Sequence, residues 1–202
     1  VSQISFIDGH ACHMCGQKMD ETNKDRCQHC LDDRSYSKVI SACEYDGIIR
    51  EKLIEFKFAK NKLLAKVFSE IMAEKIKMTK LNLPDIIISV PVHQKKFEER
   101  GYNQSQLIAK KVSDVFNIPI LDDVLVKTRV TENQSELGKA KRLTNVVNAF
   151  KIDMPSKITN KKILLVDDII TTGATVNECS KILTTHGAAE VFVATVAAGK
   201  GS

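Results

Sequence analysis

The chain has 202 residues, 43% of them apolar and 27% charged, with six cysteines, no tryptophan and a formal net charge of +5. That length buries one ordinary core plus a small appendage, and no apolar run approaches the roughly 18 residues of a membrane-spanning helix. The first residues lack the basic-then-apolar pattern of a secretory leader, so a cytoplasmic protein is expected.

Four of the cysteines come first, as Cys12-x2-Cys15 and Cys27-x2-Cys30 with eleven residues between the pairs. Each pair suits a tight turn that brings two thiolates to one ion, and two such turns make a tetrahedral site of the structural zinc kind. Residues 20–34 are too polar to hold themselves together by burial, so a metal would supply the missing folding energy. Disulfide or redox chemistry is the competing account, disfavoured in a reducing compartment. His10, His13 and His29 lie near enough in sequence to replace a thiolate, although the cysteine set is complete without them. Cys43 and Cys179 fit no metal spacing and read as packing residues. Residues 1–35 are thus expected to form a zinc-ribbon-like module, and 36–202 the main domain.

The two parts differ in charge. Residues 1–35 hold four Lys/Arg and six Asp/Glu, net −2, and the rest holds 26 against 19, net +7. A positive main domain suits nucleic acid or a polyphosphate ligand, though a solvated lysine-rich surface gives the same balance.

Residues 38–45 (KVISACEY) predict a strand, and Gly47 a break before a helical run over 48–77. Leu53, Phe56, Leu63, Leu64, Val67, Phe68 and Ile71 share its apolar face, and Phe58 is taken with Phe56 and Phe68 as packing. Residues 85–90 (DIIISV) are a continuous apolar run, typical of a strand buried on both faces. The following HQKKFEERGYNQ reads as a loop carrying Lys95, Lys96, Arg100 and Gly101 to the C-terminal edge of a sheet, with Tyr102 in it. A helix is expected over 104–116 and short strands over 124–127 and 150–152, separated by the polar segment 128–148. A strand over 162–166, a loop over 167–172, a helix over 173–186 and a strand over 191–196 make a βαβ unit, and residues 199–202 read as a tail. Alternating strands and helices imply an α/β fold with a parallel sheet covered on both faces.

Residues 163–175 (ILLVDDIITTGAT) carry the chemistry. An apolar strand delivers Asp167 and Asp168 at its C-terminal end, where open α/β sheets bind ligands. Thr171, Thr172, Gly173, Ala174 and Thr175 then lead into a helix, and their amides make a seat for a phosphate. Carboxylates beside such a seat repel phosphate, so they are better suited to sugar hydroxyls or a hydrated cation. An ordinary strand–helix turn with a capping threonine would leave both carboxylates unexplained.

All thirteen of these positions resemble the motif by which type I phosphoribosyltransferases bind 5-phosphoribosyl pyrophosphate (PRPP). The resemblance implies that Asp167 and Asp168 hold the ribose hydroxyls with magnesium nearby, and that Thr171 to Thr175 bind the 5′-phosphate. Val90-Pro91-Val92, Arg100-Gly101-Tyr102-Asn103-Gln104, Lys127-Thr128-Arg129-x-Thr131-x-x-Gln134-Ser135 and Arg142-x-x-Asn145 then look like the ComF family. That family includes competence proteins of naturally transformable bacteria and joins a four-cysteine zinc module to a phosphoribosyltransferase-like domain. By this resemblance Lys95, Lys96, Arg100 and Gly101 correspond to a pyrophosphate loop. The same resemblance implies that segment 128–148 corresponds to a flexible loop that closes over PRPP, with Arg129 and Arg142 as candidate phosphate partners.

Two functions follow. The resemblance implies a DNA-uptake factor that handles incoming single-stranded DNA with a helicase-like partner encoded in the same operon, at the inner face of the cell membrane. The alternative is a phosphoribosyltransferase with an unidentified acceptor. Purine enzymes usually keep a general-base aspartate where this chain has Thr171, whereas orotate-type enzymes have threonine there and use a loop lysine, a role open to Lys127, Lys139 or Lys141. No aromatic follows Phe192 to stack a base. A plain zinc-ribbon nucleic-acid binder would leave the phosphate loop without a purpose. With aromatics at 5%, DNA binding is expected to be mainly electrostatic.

Overall fold

The computed structural model describes residues 3–20, 25–28, 30, 34–79, 81–131 and 144–199. Strands β1 (Lys38–Glu44), β2 (Ile86–Ser89), β5 (Lys162–Ile170) and β6 (Glu190–Ala198) form one parallel sheet in the order β1-β6-β5-β2. Ile120 adds a parallel bridge outside β2, with Ile87 donating to Pro119 O and accepting from Leu121. Strands β3 (Leu125–Lys127) and β4 (Phe150–Ile152) make a small antiparallel pair.

The apolar strands divide their side chains between two cores, because successive residues of a strand point to opposite faces. Ile86, Ile88, Ile163, Leu165, Val191 and Val193 pack with Val176, Cys179 and Leu183 of α5 (Ala174–Thr185) and with Leu125 and Phe150. Ile40, Ile87, Leu164, Val166 and Ala194 face α1 (Gly47–Phe58), α2 (Leu64–Met78) and α4 (Gln104–Phe116), meeting Phe56, Phe68, Met72, Ile108 and Val112. Cys43 and Cys179 are fully buried packing residues, as expected. No helix among the described residues is long and apolar enough to cross a membrane.

Several expectations change. The run 48–77 is two helices, and Lys60 in the break takes a left-handed φ of 59°. The break resets the helical phase, so Leu63 and Val67 turn outward at 84% and 47% exposure. Phe58, the last residue of α1, is 62% exposed and does not pack in the core. The expected loop after β2 contains helix α3 (Gln94–Arg100). His93 caps it by accepting from the Lys95 N–H, and Gly101 ends it at φ 83°, a left-handed conformation that glycine adopts freely. Tyr102 is buried and donates its hydroxyl to Phe56 O, so it offers no surface ring.

Candidate functional site

β5 outruns β2. Ser89 pairs with Val166, and beyond that register β5 continues beside β6 as far as Ile170 opposite Ala198. Asp167 and Asp168 are therefore strand residues, not the loop residues expected, standing where β2 has peeled away toward α3. Asp167 Oδ1 accepts from Ser105 Oγ at 2.8 Å and from the Asp168 N–H at 2.9 Å. Asp168 Oδ2 accepts from Gln104 Nε2 at 3.2 Å. Both side-chain donors lie in the first turn of α4, which Asn103 fixes. Its Oδ1 accepts from the Ser105 N–H at 3.0 Å, and its Nδ2 donates to Val90 O at 2.9 Å.

Burial, reinforced by the Asp168 carboxylate, pushes Asp167 up to about 8. Lys127, at the end of β3, donates to Thr131 Oγ1 at 2.8 Å and lies 5.3 Å from the centre of the Phe150 ring. Burial first, and the charge of Lys96 second, push its ammonium down to about 8, while Asp167 opposes that shift. Lys57 at the end of α1 also acts on both Asp167 and Lys127.

Arg100 is half-buried and donates to Gln104 Oε1, so it joins Asp168 through one shared amide. Lys96 is half-buried near Lys127, whereas Lys95 is exposed on α3. Arg129 donates to Asn145 O at 2.8 Å and Val147 O at 2.9 Å, holding that turn together. Arg142 lies outside the described residues, as do Gln134, Ser135, Lys139, Lys141 and His29.

Between β5 and α5 the chain turns through Thr171, Thr172 and Gly173, the last at φ 75°. A Cβ at Gly173 would stand 3.1 Å from the Tyr36 hydroxyl, so glycine is favoured by conformation and by space. Thr172 Oγ1 accepts weakly from the Ala174 N–H at 3.4 Å, and Thr175 is half-buried on the first turn of α5.

The cysteine segment lies against this turn. Ser35 N–H donates to Asn177 Oδ1 at 2.9 Å, and Arg34 Nη2 reaches Thr172 O at 3.4 Å. Gln17 Nε2 donates to Gly199 O at 2.7 Å, while Gly199 N–H donates to Ile170 O at 2.8 Å, so Gly199 is pinned rather than the start of a tail. Residues 5–7 pair antiparallel with β1, and Tyr36 donates to Met14 O at 2.6 Å.

The sulfurs of Cys12, Cys15, Cys27 and Cys30 all lie within 4.8 Å of one another. Cys15 and Cys27 are 3.8 Å apart, about the edge of a tetrahedron with metal–sulfur bonds near 2.3 Å. Hydrogen bonding from Cys15, despite burial, draws Cys12 down to about 4. Its hydrogen bond in turn raises Cys15, and burial with the Cys12 charge pushes Cys30 up to about 12. One thiolate thus suppresses its neighbours, a conflict that a soft cation such as zinc relieves. Burial lowers the pKa of His13, whose Nε2 stands 3.8 Å from Asp25 Oδ1, outside the sulfur cluster.

Sequence reasoning missed Ser105, Arg34, Gln17 and Lys57 at this site, and quoted Gln104 without a role. Their placement depends on how α4, α1 and the cysteine segment dock, which no local pattern encodes.

Fold and site define a parallel α/β protein of the phosphoribosyltransferase type, with two buried carboxylates at the end of β5 beside the turn into α5, and a cysteine cluster able to hold a metal. A family model described as the phosphoribosyl transferase domain matches residues 103–202. The chain is 30% identical over 188 residues to Competence protein F of Haemophilus influenzae, covering 90% of this chain and 82% of that protein. It is 28% identical over 197 residues to DNA utilization protein YhgH of Escherichia coli K12, covering 95% and 86%. Adenine phosphoribosyl transferase from Trypanosoma brucei superposes with a TM-score of 0.46 at 13% identity, over 77% of this chain and 70% of that one. The chain belongs to the ComF family of competence proteins.

Proposed function

We propose that this protein is a competence factor that handles single-stranded DNA during uptake and binds a phosphoribosyl ligand of the PRPP type at the C-terminal edge of β5. The observation that carries the ligand half of the reading is the Asp167–Asp168 pair beside the Thr171–Thr175 turn: two carboxylates for ribose hydroxyls, and backbone amides for a phosphate. Its relatives named for competence and DNA utilization point to the same process. A helicase-like partner and a position at the inner face of the membrane belong to the same proposal.

The carboxylates fit magnesium, a hard cation that takes carboxylate, hydroxyl and phosphate oxygens. Bound there with PRPP, it would neutralise pyrophosphate charge. The chain's own residues orient the pair through Ser105 and Gln104, and Lys96 and Arg100 supply positive charge at the edge. The cysteine cluster is assigned to structural zinc.

One observation favours a transferase as the second reading. An amine with pKa about 8, buried near Asp167, is a suitable general base near neutral pH. An acceptor nitrogen would displace pyrophosphate from the ribose C1, forming the N–C1 bond and passing its proton to the Lys127 amine.

Two assays separate the readings. Protein with PRPP, magnesium and adenine, guanine, hypoxanthine, uracil or orotate should release no pyrophosphate above background. Single-stranded DNA should bind and weaken steeply with salt, with a slope shallower by about two when Lys95, Lys96 and Arg100 are neutralised together. Pyrophosphate release with any base would make the protein an enzyme, and salt-insensitive or absent DNA binding would overturn the DNA reading.

A further inference from the structure

Helix α1 ends in two phenylalanines with opposite fates. Phe56 is fully buried, with its ring 5.5 Å from Phe68 and 5.7 Å from Tyr102. Phe58 is 62% exposed, the most exposed aromatic ring among the described residues. Its surroundings are cationic. The Arg100 guanidinium carbon lies 5.9 Å from its ring centre and Lys57 Nζ 6.0 Å. Residues 57–66 hold four lysines and no acidic residue, and Lys62 Nζ sits 5.3 Å over the neighbouring Tyr102 ring.

This aromatic is also connected to the ligand site. Arg100 donates to Gln104, which donates to Asp168, and the charge of Lys57 reaches Asp167. An exposed ring among cations, at the rim of a phosphate-binding edge, matches the chemistry of a single strand: phosphates for the cations and an unpaired base for the ring.

We propose that Phe58 is a base-stacking platform for single-stranded nucleic acid, with Lys57, Lys62 and Arg100 neutralising the flanking phosphates. The inference rests on the DNA-handling reading and gives it a specific residue. Single-strand binding would then have a stacking component beyond the purely electrostatic one expected from composition.

The chain has no tryptophan, so Phe58→Trp provides a lone fluorophore at the position in question. Titration with an oligothymidylate of about 20 nucleotides should quench it saturably, at concentrations matching binding measured independently by anisotropy. Phe58→Ala should weaken oligonucleotide binding roughly 5- to 100-fold, with the salt slope unchanged because no charge is lost. Its thermal shift with PRPP and magnesium should match the wild type, which shows that the site and fold survive. Wild-type binding with no loss in Phe58→Ala, or binding without quenching in Phe58→Trp, would overturn the platform and leave DNA handling standing. Quenching by free adenine but not by the oligonucleotide would overturn it in favour of an acceptor-base site. Absence of wild-type DNA binding would remove the DNA-handling reading and the platform with it.

Discussion

The backbone N–H of Ser35 donates to Asn177 Oδ1 at 2.9 Å, which ties the end of the cysteine segment to the first turn of α5, the helix that follows the Thr171–Gly173 turn. With the Arg34 contact to Thr172 O and the Tyr36 hydroxyl against Gly173, three successive residues brace one loop. Metal loading and ligand binding should therefore be linked. Stripping the metal with a chelator, or substituting Asn177→Ala, should weaken PRPP binding by up to about tenfold, the range of one net hydrogen bond. Calorimetry before and after chelation measures it, and unchanged affinity would show the bracing to be incidental.

The metal assignment has its own check. Protein purified without added metal should contain about one zinc per chain in elemental analysis. Cys27→Ser should lose it and expose residues 10–20 and 25–28 to rapid hydrogen exchange, while β5 and β6 keep their protection because their core is separate. Four freely titratable thiols in metal-free folded protein would contradict the assignment.

Much of the fold is legible in the sequence because the parallel strands are continuous apolar runs and residues 163–175 are a contiguous motif. The residues that were misplaced share a different property. Helix α3 buries no side chain, so QKKFEER carries no apolar periodicity and only its His93 and Gly101 ends mark it. The break between α1 and α2 has neither proline nor glycine, so the apolar spacing ran on and put Leu63, Val67 and Phe58 in a core they do not enter. Asp167 and Asp168 looked like loop residues because carboxylates are rare inside strands. Pairing with β6 and donors from α4 hold them there, and those partners are distant in sequence.

Lys127 gives a pH prediction with a definite sign. Its folded pKa of about 8 lies below its ordinary 10.5, so between those values the unfolded chain binds the additional proton. This group's contribution to stability therefore rises with pH from about 8 to 10.5 and is flat below. Lys127→Met should remove that slope and raise stability at pH 7, read from urea midpoints across pH. In the transferase reading, turnover should also climb with pH to a plateau above about 8. A wild-type stability profile superimposable on that of Lys127→Met would contradict the buried ammonium.

The phosphate turn can be tested by substitution. With magnesium and PRPP at about 100 times the dissociation constant, wild-type Tm should rise by roughly 5–10 °C. Asp168→Asn should lose most of that rise by removing a carboxylate from the ribose and metal positions. Thr175→Val should lose part of it by removing a hydroxyl from the phosphate seat. Full retention in both would place the ligand elsewhere.

The most direct test of the account is calorimetric titration of the metal-loaded wild-type protein with PRPP in the presence and absence of magnesium. The account predicts one site per chain, tighter with magnesium and weakened in Asp168→Asn. No detectable heat or competition at millimolar PRPP would contradict it and leave the carboxylate pair and phosphate turn without their proposed ligand.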